Sequence, residues 1–382
     1  MHAIKRAALA TISFSALTGL TPLALAQTAQ HSTRAVAADA DDSGTMQRAD
    51  KDMKRVLSKL QELGAKPLGT QSVEETRKGP TPADAVKAVL KDDGKDPQAL
   101  MAQMKVQKKD TSYPTAGGSQ AIRLYTPEDA GSGPLPVIVY YHGGGWVIAD
   151  LDTYESSAMA LAHKAKAIVA SVEYRHAPEN KFPAAHDDAF AAYRWVLQNA
   201  GKFGGDAKRV AVAGESAGGN LAANVAIAAR DQKVQEPLYM LLVYPVAGTD
   251  TNTASYQKNA NAIPLGKAGM EWFVQNTVSK AEDKQDARLD LVGKANLKGL
   301  PPATIIAAEI DPLMSEGKVL SDKLKQAGVE TSYHSYAGVA HEFFGMDAVV
   351  ADAKKAQEVA AKDLRDAFTE STGSTSRDNQ KQ

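Results

Sequence analysis

The turn Gly214-Glu215-Ser216-Ala217-Gly218 stands between the apolar run 209–213 and the alanine-rich stretch 221–229. A short apolar run bounded by a glycine reads as a buried strand, and an alanine-rich stretch favours helix. The pattern is therefore strand, sharp turn, helix, with a serine at the apex. Such a turn leaves no room for side chains two residues before or after the serine, which is why glycine stands at both places. It also lifts the serine hydroxyl clear of the sheet edge. A turn that merely needs small residues would show the same five letters, so the rest of the chain has to decide.

Upstream, the run Val137-Ile138-Val139-Tyr140-Tyr141 reads as a fully buried strand and passes directly into His142-Gly143-Gly144-Gly145-Trp146. Three glycines leave backbone N–H groups uncovered by side chains, and such groups can face the negative oxygen of a tetrahedral intermediate. With the N–H of Ala217, donors from Gly143, Gly144 and Gly145 would complete an oxyanion hole. The sequence leaves open which two of the three glycines donate.

A strand-turn-helix serine of this kind is followed in the chain first by an acid and then by a histidine. The strand-like run 303–308 leads to Glu309-Ile310-Asp311-Pro312-Leu313, which puts Asp311 at a strand's C-terminal end. The alternating strand 329–336 is followed by a loop, Ala337-Gly338-Val339-Ala340, and then His341. The other histidines fit the role less well. His334 falls within the strand alternation, His142 precedes the glycine loop, His163 lies on a surface helix, and His176 and His186 flank a proline-rich turn region. Ser216, Asp311 and His341 are the candidate nucleophile, orienting acid and general base.

Strands are predicted near 120–126, 136–141, 167–174, 208–213, 238–244, 302–308 and 329–336. Helices are predicted near 154–165, 185–199, 217–230, 266–278, 315–327 and 350–368. This alternation implies a mostly parallel sheet with helices on both faces, and a site at the C-terminal ends of its strands.

With these motifs in place, the chain resembles the bacterial relatives of hormone-sensitive lipase, carboxylesterases of the α/β-hydrolase superfamily. Four passages carry the resemblance: His142-Gly143-Gly144-Gly145-Trp146-Val147-Ile148, Tyr174-Arg175-His176-Ala177-Pro178-Glu179 with Phe182-Pro183-Ala184-Ala185, Gly214-Glu215-Ser216-Ala217-Gly218-Gly219, and Asp311-Pro312-Leu313. The resemblance implies an α/β-hydrolase fold with a helical cap, and a Ser216–His341–Asp311 triad. It also implies small-molecule ester substrates with short to medium acyl chains. It implies no metal and no organic cofactor. Amide deacetylation or lactone hydrolysis would use the same apparatus. Four positions depart from the usual pattern: Glu215 stands where Asp is more common, His176 where Leu is, Met314-Ser315 where Arg-Asp is, and Glu342 where glycine commonly follows the histidine.

The first residues read as an export signal. Lys5-Arg6 precede the mostly apolar stretch 7–25, which closes on Ala24-Leu25-Ala26, so residues 1–26 are expected to be a cleaved signal peptide of a secreted protein. Serines, threonines, a glycine and a proline within the stretch speak against a retained membrane anchor. Residues 27–45 are expected to be a flexible linker, 46–112 an N-terminal helical cap segment, 113–368 the catalytic domain with 249–278 adding to the cap, and 369–382 a disordered tail. Within 46–112, Met53, Val56, Leu57, Leu60 and Leu63 recur at helical spacing, and helices are predicted at 82–90 and 97–106. The chain of 382 residues has no cysteine and a formal charge of −1. A core of that size needs no disulfide. A balanced charge gives no footprint for nucleic acid.

Two rival chemistries fail on spacing. In a dinucleotide-binding loop the second glycine admits the pyrophosphate, and Ser216 occupies that place. His341-Glu342 begins a zinc-protease motif, but Gly345 stands where the second histidine ligand belongs. A ligand-binding protein built on a hydrolase fold would be expected to lack a member of the triad, and none is missing.

Overall fold

A computed structural model describes residues 44–378. The expected signal peptide and nearly all of the expected linker lie outside the described residues. Eight strands form one sheet: β1 (Val106–Thr115), β2 (Gly118–Pro127), β3 (Leu135–Tyr141), β4 (Ile168–Val172), β5 (Gly205–Glu215), β6 (Met240–Val243), β7 (Ala303–Ile310) and β8 (Thr331–Ala340), in the order β1-β2-β4-β3-β5-β6-β7-β8. The β1–β2 and β2–β4 pairs are antiparallel, and from β4 to β8 every pair is parallel. The centre of the sheet is covered on both faces, which is why β4 and β6 are buried at every residue and read as unbroken apolar runs.

Ten helices matter for the site: α1 (Lys51–Glu62), α2 (Val73–Lys78), α3 (Pro82–Asp92), α4 (Pro97–Gln103), α5 (Glu155–Ala165), α6 (Ala184–Asn199), α7 (Ala217–Asp231), α8 (Lys267–Thr277), α9 (Met314–Gln326) and α10 (Ala351–Asp378). Helices α6, α7 and α9 bury Ala189, Leu221 and Leu320 against one face of the sheet. Helices α5 and α10 cover the other face, and the stripes of α1 and α3 complete that core: Met53, Val56, Leu57, Leu60 and Val89 pack with Phe343, Phe344 and Ala353. Helix α1 starts where Asp50 caps it by accepting from the Met53 N–H at 2.7 Å. The stripe ends one residue short of the sequence expectation, since Leu63 sits at the C-cap and is 42% exposed.

The sheet has one strand more than the seven predicted. Strand β1 begins at Val106, so the sheet extends back into the segment assigned to the cap, across the expected boundary at 112/113. Its middle, Gln107-Lys108-Lys109-Asp110, is exposed on both faces of an edge strand and carries no apolar alternation to read. The predicted helix 97–106 stops at Gln103, and Lys105 at φ 50° turns the chain into β1. Two other boundaries move. Thr45, inside the expected linker, is buried and opens a helical turn, Thr45–Arg48. At the other end α10 continues to Asp378, through most of the expected tail; Phe368 is buried in the core, and the polar sequence beyond it has no apolar period.

Candidate active site

Strand β5 pairs with β3 so that Gly214 lies opposite Tyr141. Immediately beyond, Ser216 takes φ 56° and ψ −118°, a conformation that costs a non-glycine residue about 1–3 kcal/mol. Crowding on every side enforces it. A Cβ on Gly218 would lie 1.9 Å from the Tyr141 carbonyl oxygen, and one on Gly214 would lie 2.1 Å from the Gly218 carbonyl oxygen. The backbone of Ser216 is pinned as well, its N–H donating to Val243 O at 2.9 Å and its carbonyl accepting from Val246 N at 3.1 Å.

Asp311 follows β7 and His341 follows β8. Strand β8 runs through to Ala340 past a register shift, so the expected loop 337–340 is strand and His341 emerges directly from the sheet edge. The three predicted side chains meet. His341 Nδ1 lies 2.7 Å from Asp311 Oδ2, and His341 Nε2 lies 3.0 Å from Ser216 Oγ. All three residues are buried. A carboxylate only accepts, so Nδ1 carries the proton and Nε2 is left to accept from the serine hydroxyl. The other oxygen of Asp311 accepts from Leu313 N at 2.8 Å. Burial alone would favour a neutral imidazole, but the Asp311 charge and hydrogen bond outweigh it and hold His341 above its ordinary pKa.

The glycine loop lies against the same turn. A Cβ on Gly143 would meet the Tyr154 hydroxyl at 2.2 Å and the Glu215 carbonyl at 3.2 Å; one on Gly144 would meet the Ile148 carbonyl, and one on Gly145 the Phe273 ring, each at 2.2 Å. The glycines thus allow close approach of neighbours on several sides as well as bare backbone. Gly144 O accepts from Val147 N and Ile148 N at 3.0 and 2.9 Å, which closes the loop on itself. Ala217 is the first residue of α7, so its N–H has no intrahelical acceptor and is free to face an anion.

Several supporting residues escaped the sequence reading. Arg77 of α2 donates to Val147 O at 2.8 Å and Ala177 O at 2.9 Å and pairs with both Glu179 oxygens at 2.8 Å, tying the glycine loop to the proline-rich turn. Asn259 donates to Asp311 O at 2.9 Å, Ser255 to Pro312 O at 2.6 Å, and Arg48 to Asn259 Oδ1 at 2.7 Å, which braces the acid's turn. Glu316 is buried beside it, accepts from Ala247 N at 2.8 Å, and is pushed up to about 8 by burial. The Phe273 ring of α8 stands over Gly145, while Leu68 and Gly69 pack on Gly269 and Trp272.

Two of the departures from the family pattern prove to be neighbours. Glu215 accepts from Tyr140 Oη at 2.6 Å and from Tyr244 Oη, and burial, with the charge of Glu342 second, pushes it up to about 7. Glu342, at φ 73°, accepts from Tyr154 Oη at 2.6 and 2.7 Å and places one oxygen 3.8 Å from His341 Nε2. Both stood out in sequence as oddities, but nothing in sequence placed them side by side. Among the described residues, His142, Glu173 and His176 form a group with metal-ligand spacing.

The crowding at the turn gives a direct test. Gly218→Ala forces its methyl into the backbone of β3, where no side chain can move aside. It is expected to lose about 3 kcal/mol of stability, at the upper end of overpacking costs, and to lower activity in the fraction that stays folded. Urea unfolding with wild-type stability would contradict the close approach.

Residues 138–345 match the α/β-hydrolase fold family, whose span covers more than half of the chain. The chain is 38% identical over 265 residues to the carboxylesterase NlhH of Mycobacterium tuberculosis, covering 69% of this chain and 82% of that one. It is 34% identical over 239 residues to an ethyl acetate hydrolase of Pseudomonas putida, covering 62% and 75%. Among solved structures, the esterase of Pyrobaculum calidifontis superposes with a TM-score of 0.70 at 33% identity, covering 80% of this chain and 97% of that one. The sheet order, the serine turn and these likenesses agree, and the chain belongs to the hormone-sensitive-lipase-like carboxylesterases of the α/β-hydrolase superfamily.

Proposed function

We propose that the protein is a serine carboxylesterase that hydrolyses short- to medium-chain acyl esters through an acyl-enzyme. The carboxylic ester hydrolase activity follows from the family. The finer reading is carried by one observation, the continuous chain of hydrogen bonds from Asp311 through His341 to Ser216 in a buried site. Ser216 Oγ attacks the ester carbonyl carbon while its proton passes to His341 Nε2, and Asp311 stabilises the imidazolium that forms. The carbonyl oxygen, now negative, is received by the N–H of Ala217 and by N–H groups of the loop Gly143–Gly145. Removing one such donor typically costs about 2.7–4 kcal/mol of transition-state stabilisation. As the tetrahedral adduct collapses, the C–O bond to the alcohol breaks and His341 returns its proton to the leaving oxygen. Water then attacks the acyl-enzyme with its proton going to His341, and collapse returns a proton to Ser216 and frees the acid.

Above the site, α8 and the segment 68–78 serve as the cap in this reading. Their contacts with Gly145, Val147 and each other support it. Export is also part of the proposal, supported by the charged start, apolar stretch and Ala24-Leu25-Ala26 of the first residues. Among the described residues no helix is long and apolar enough to cross a membrane.

Hydrolysis of a p-nitrophenyl series from acetate to palmitate tests the reaction. Strong turnover of short chains, reduced about 10⁴-fold or more by Ser216→Ala, is the expected result. A folded protein inactive on every chain length would shift the reading to an amide or lactone substrate. The acid limb of kcat/KM should fall at a pH above the ~6.5 of an ordinary histidine, because His341 is held protonated to higher pH. Glu342→Gln removes a negative charge that favours the imidazolium, so the limb should move to lower pH. A rate flat from about pH 5 to 9 would argue against a histidine base. For export, N-terminal sequencing of the protein from its native host should begin at Gln27, and a chain retaining Met1 would contradict it.

A further inference from the structure

Where most of the family carries leucine in the proline-rich turn, this chain carries His176, and the substitution completes a three-residue cluster beside the glycine loop. One ligand atom from each of His142, Glu173 and His176 lies within 4.8 Å of the other two. His142 Nε2 is 3.3 Å and His176 Nε2 is 3.2 Å from the same oxygen, Glu173 Oε1. A tetrahedral zinc with bonds near 2.0–2.1 Å has ligand atoms roughly 3.3 Å apart, so two of the three edges already have that length. We propose that His142, Glu173 and His176 form a binding site for one divalent transition ion of the zinc type, with water in the fourth position.

The hydrogen bonds of the three side chains leave one ligand atom without a partner. His142 Nδ1 lies 2.8 Å from Gly143 O, a carbonyl that can only accept, so the proton of the neutral ring is on Nδ1. Nε2, 3.3 Å from Glu173 Oε1, then either donates a second proton to that carboxylate or presents a lone pair to an ion in its place. A ligating histidine usually has this arrangement, its far nitrogen donating to a backbone carbonyl while the near one faces the metal. His176 Nε2 is shut off from solvent and has no hydrogen-bond partner, despite its closeness to Glu173. Its lone pair or N–H is therefore not aimed at the carboxylate oxygen. An ion shared by the three groups would give His176 Nε2 a partner and take the place of the second proton on His142.

The cluster is also held in place by contacts outside it. Tyr174 stacks on the His142 ring at 4.4 Å and 15°, and its hydroxyl donates to His142 O at 2.9 Å. Arg175 pairs with buried Asp188 at 2.8 and 2.7 Å, and Ala177 N donates to Trp146 O at 2.9 Å, fixing the backbone on both sides of His176. The His142 side chain is fully buried, while those of Glu173 and His176 are 20% and 17% exposed, which gives an ion and its water a way in. His142 directly precedes Gly143, so an ion here would bridge the end of β4 to the glycine loop. The ester chemistry proposed for Ser216 does not require it.

The test uses the untagged full-length chain, stripped with EDTA and dialysed. Cobalt(II) titration should give the intense visible bands of a four-coordinate site at one equivalent per chain, and zinc should bleach them. His176→Leu restores the common residue of the family and should keep fold and basal ester hydrolysis while weakening zinc affinity at least about 100-fold by calorimetry. Glu173→Gln should also weaken it. Failure of the wild-type chain to take up either ion at one equivalent would overturn the proposal and leave a His142–Glu173 ion pair. Equal affinity in His176→Leu would overturn it as well, placing the ion elsewhere on the chain.

Discussion

The arrangement around Ser216 depends on one backbone contact, the carbonyl of Tyr141 lying where a side chain at position 218 would begin. That contact brings the end of β3 and the first turn of α7 together without intervening side chains. It decides the glycines of the turn, because any Cβ at 214 or 218 would meet backbone that cannot move. It also places two loops at one point in space, since β3 runs on into His142 and Gly143 while β5 runs on into Ser216. The strain in the Ser216 backbone, of the order of 1–3 kcal/mol, is offset by the two hydrogen bonds that fix its N–H and carbonyl. The Ser216 hydroxyl is thereby held 3.0 Å from His341 Nε2, at the start of a helix whose first amide, that of Ala217, has no intrahelical acceptor.

Charge around the site is sorted by partners rather than by residue type. His186 is as buried as His341, but its ring nitrogen meets Asn220 Oδ1 at 2.9 Å, and burial lowers it to about 4. That histidine stays neutral, while His341, with an ionised aspartate on its far nitrogen, is held above the ordinary value. The carboxyl groups divide in the same way. Asp311 has two donors of its own, His341 and Leu313 N. Burial raises both Glu215 and Glu342, and the charge of Glu342 adds to the shift of Glu215. Their tyrosine donors satisfy the oxygens, which lets two acids flank Ser216 and His341 without leaving acceptors unpaired.

Ser216 and Asp311 were legible in the sequence because each follows an apolar strand, His341 because it comes after the last alternating strand in the expected chain order, and the serine turn and the glycine loop carry their own steric signature. The central strands and the covering helices were legible for a similar reason: their periods match their burial. Strand β1 was not, since an edge strand with charged residues on both faces has no period to detect. Arg77, Asn259 and Tyr154 were invisible as site residues for another reason. Each acts through a contact with a distant part of the chain, and nothing in its own neighbourhood marks it. Glu215 and Glu342 fall between these cases. A departure from the family pattern flagged each position, but only the fold shows that the two departures belong to one cluster.

The N-terminal segment also takes on a meaning that its helical stripe alone could not give. Helices α1 and α3 face the core with Phe343 and Phe344 and so contribute to folding. The stretch from Leu68 to Arg77 instead meets α8, the glycine loop and the proline-rich turn. Farther back, Arg48 reaches the turn of Asp311 through Asn259. One segment therefore touches the supports of both the glycine loop and the turn of Asp311.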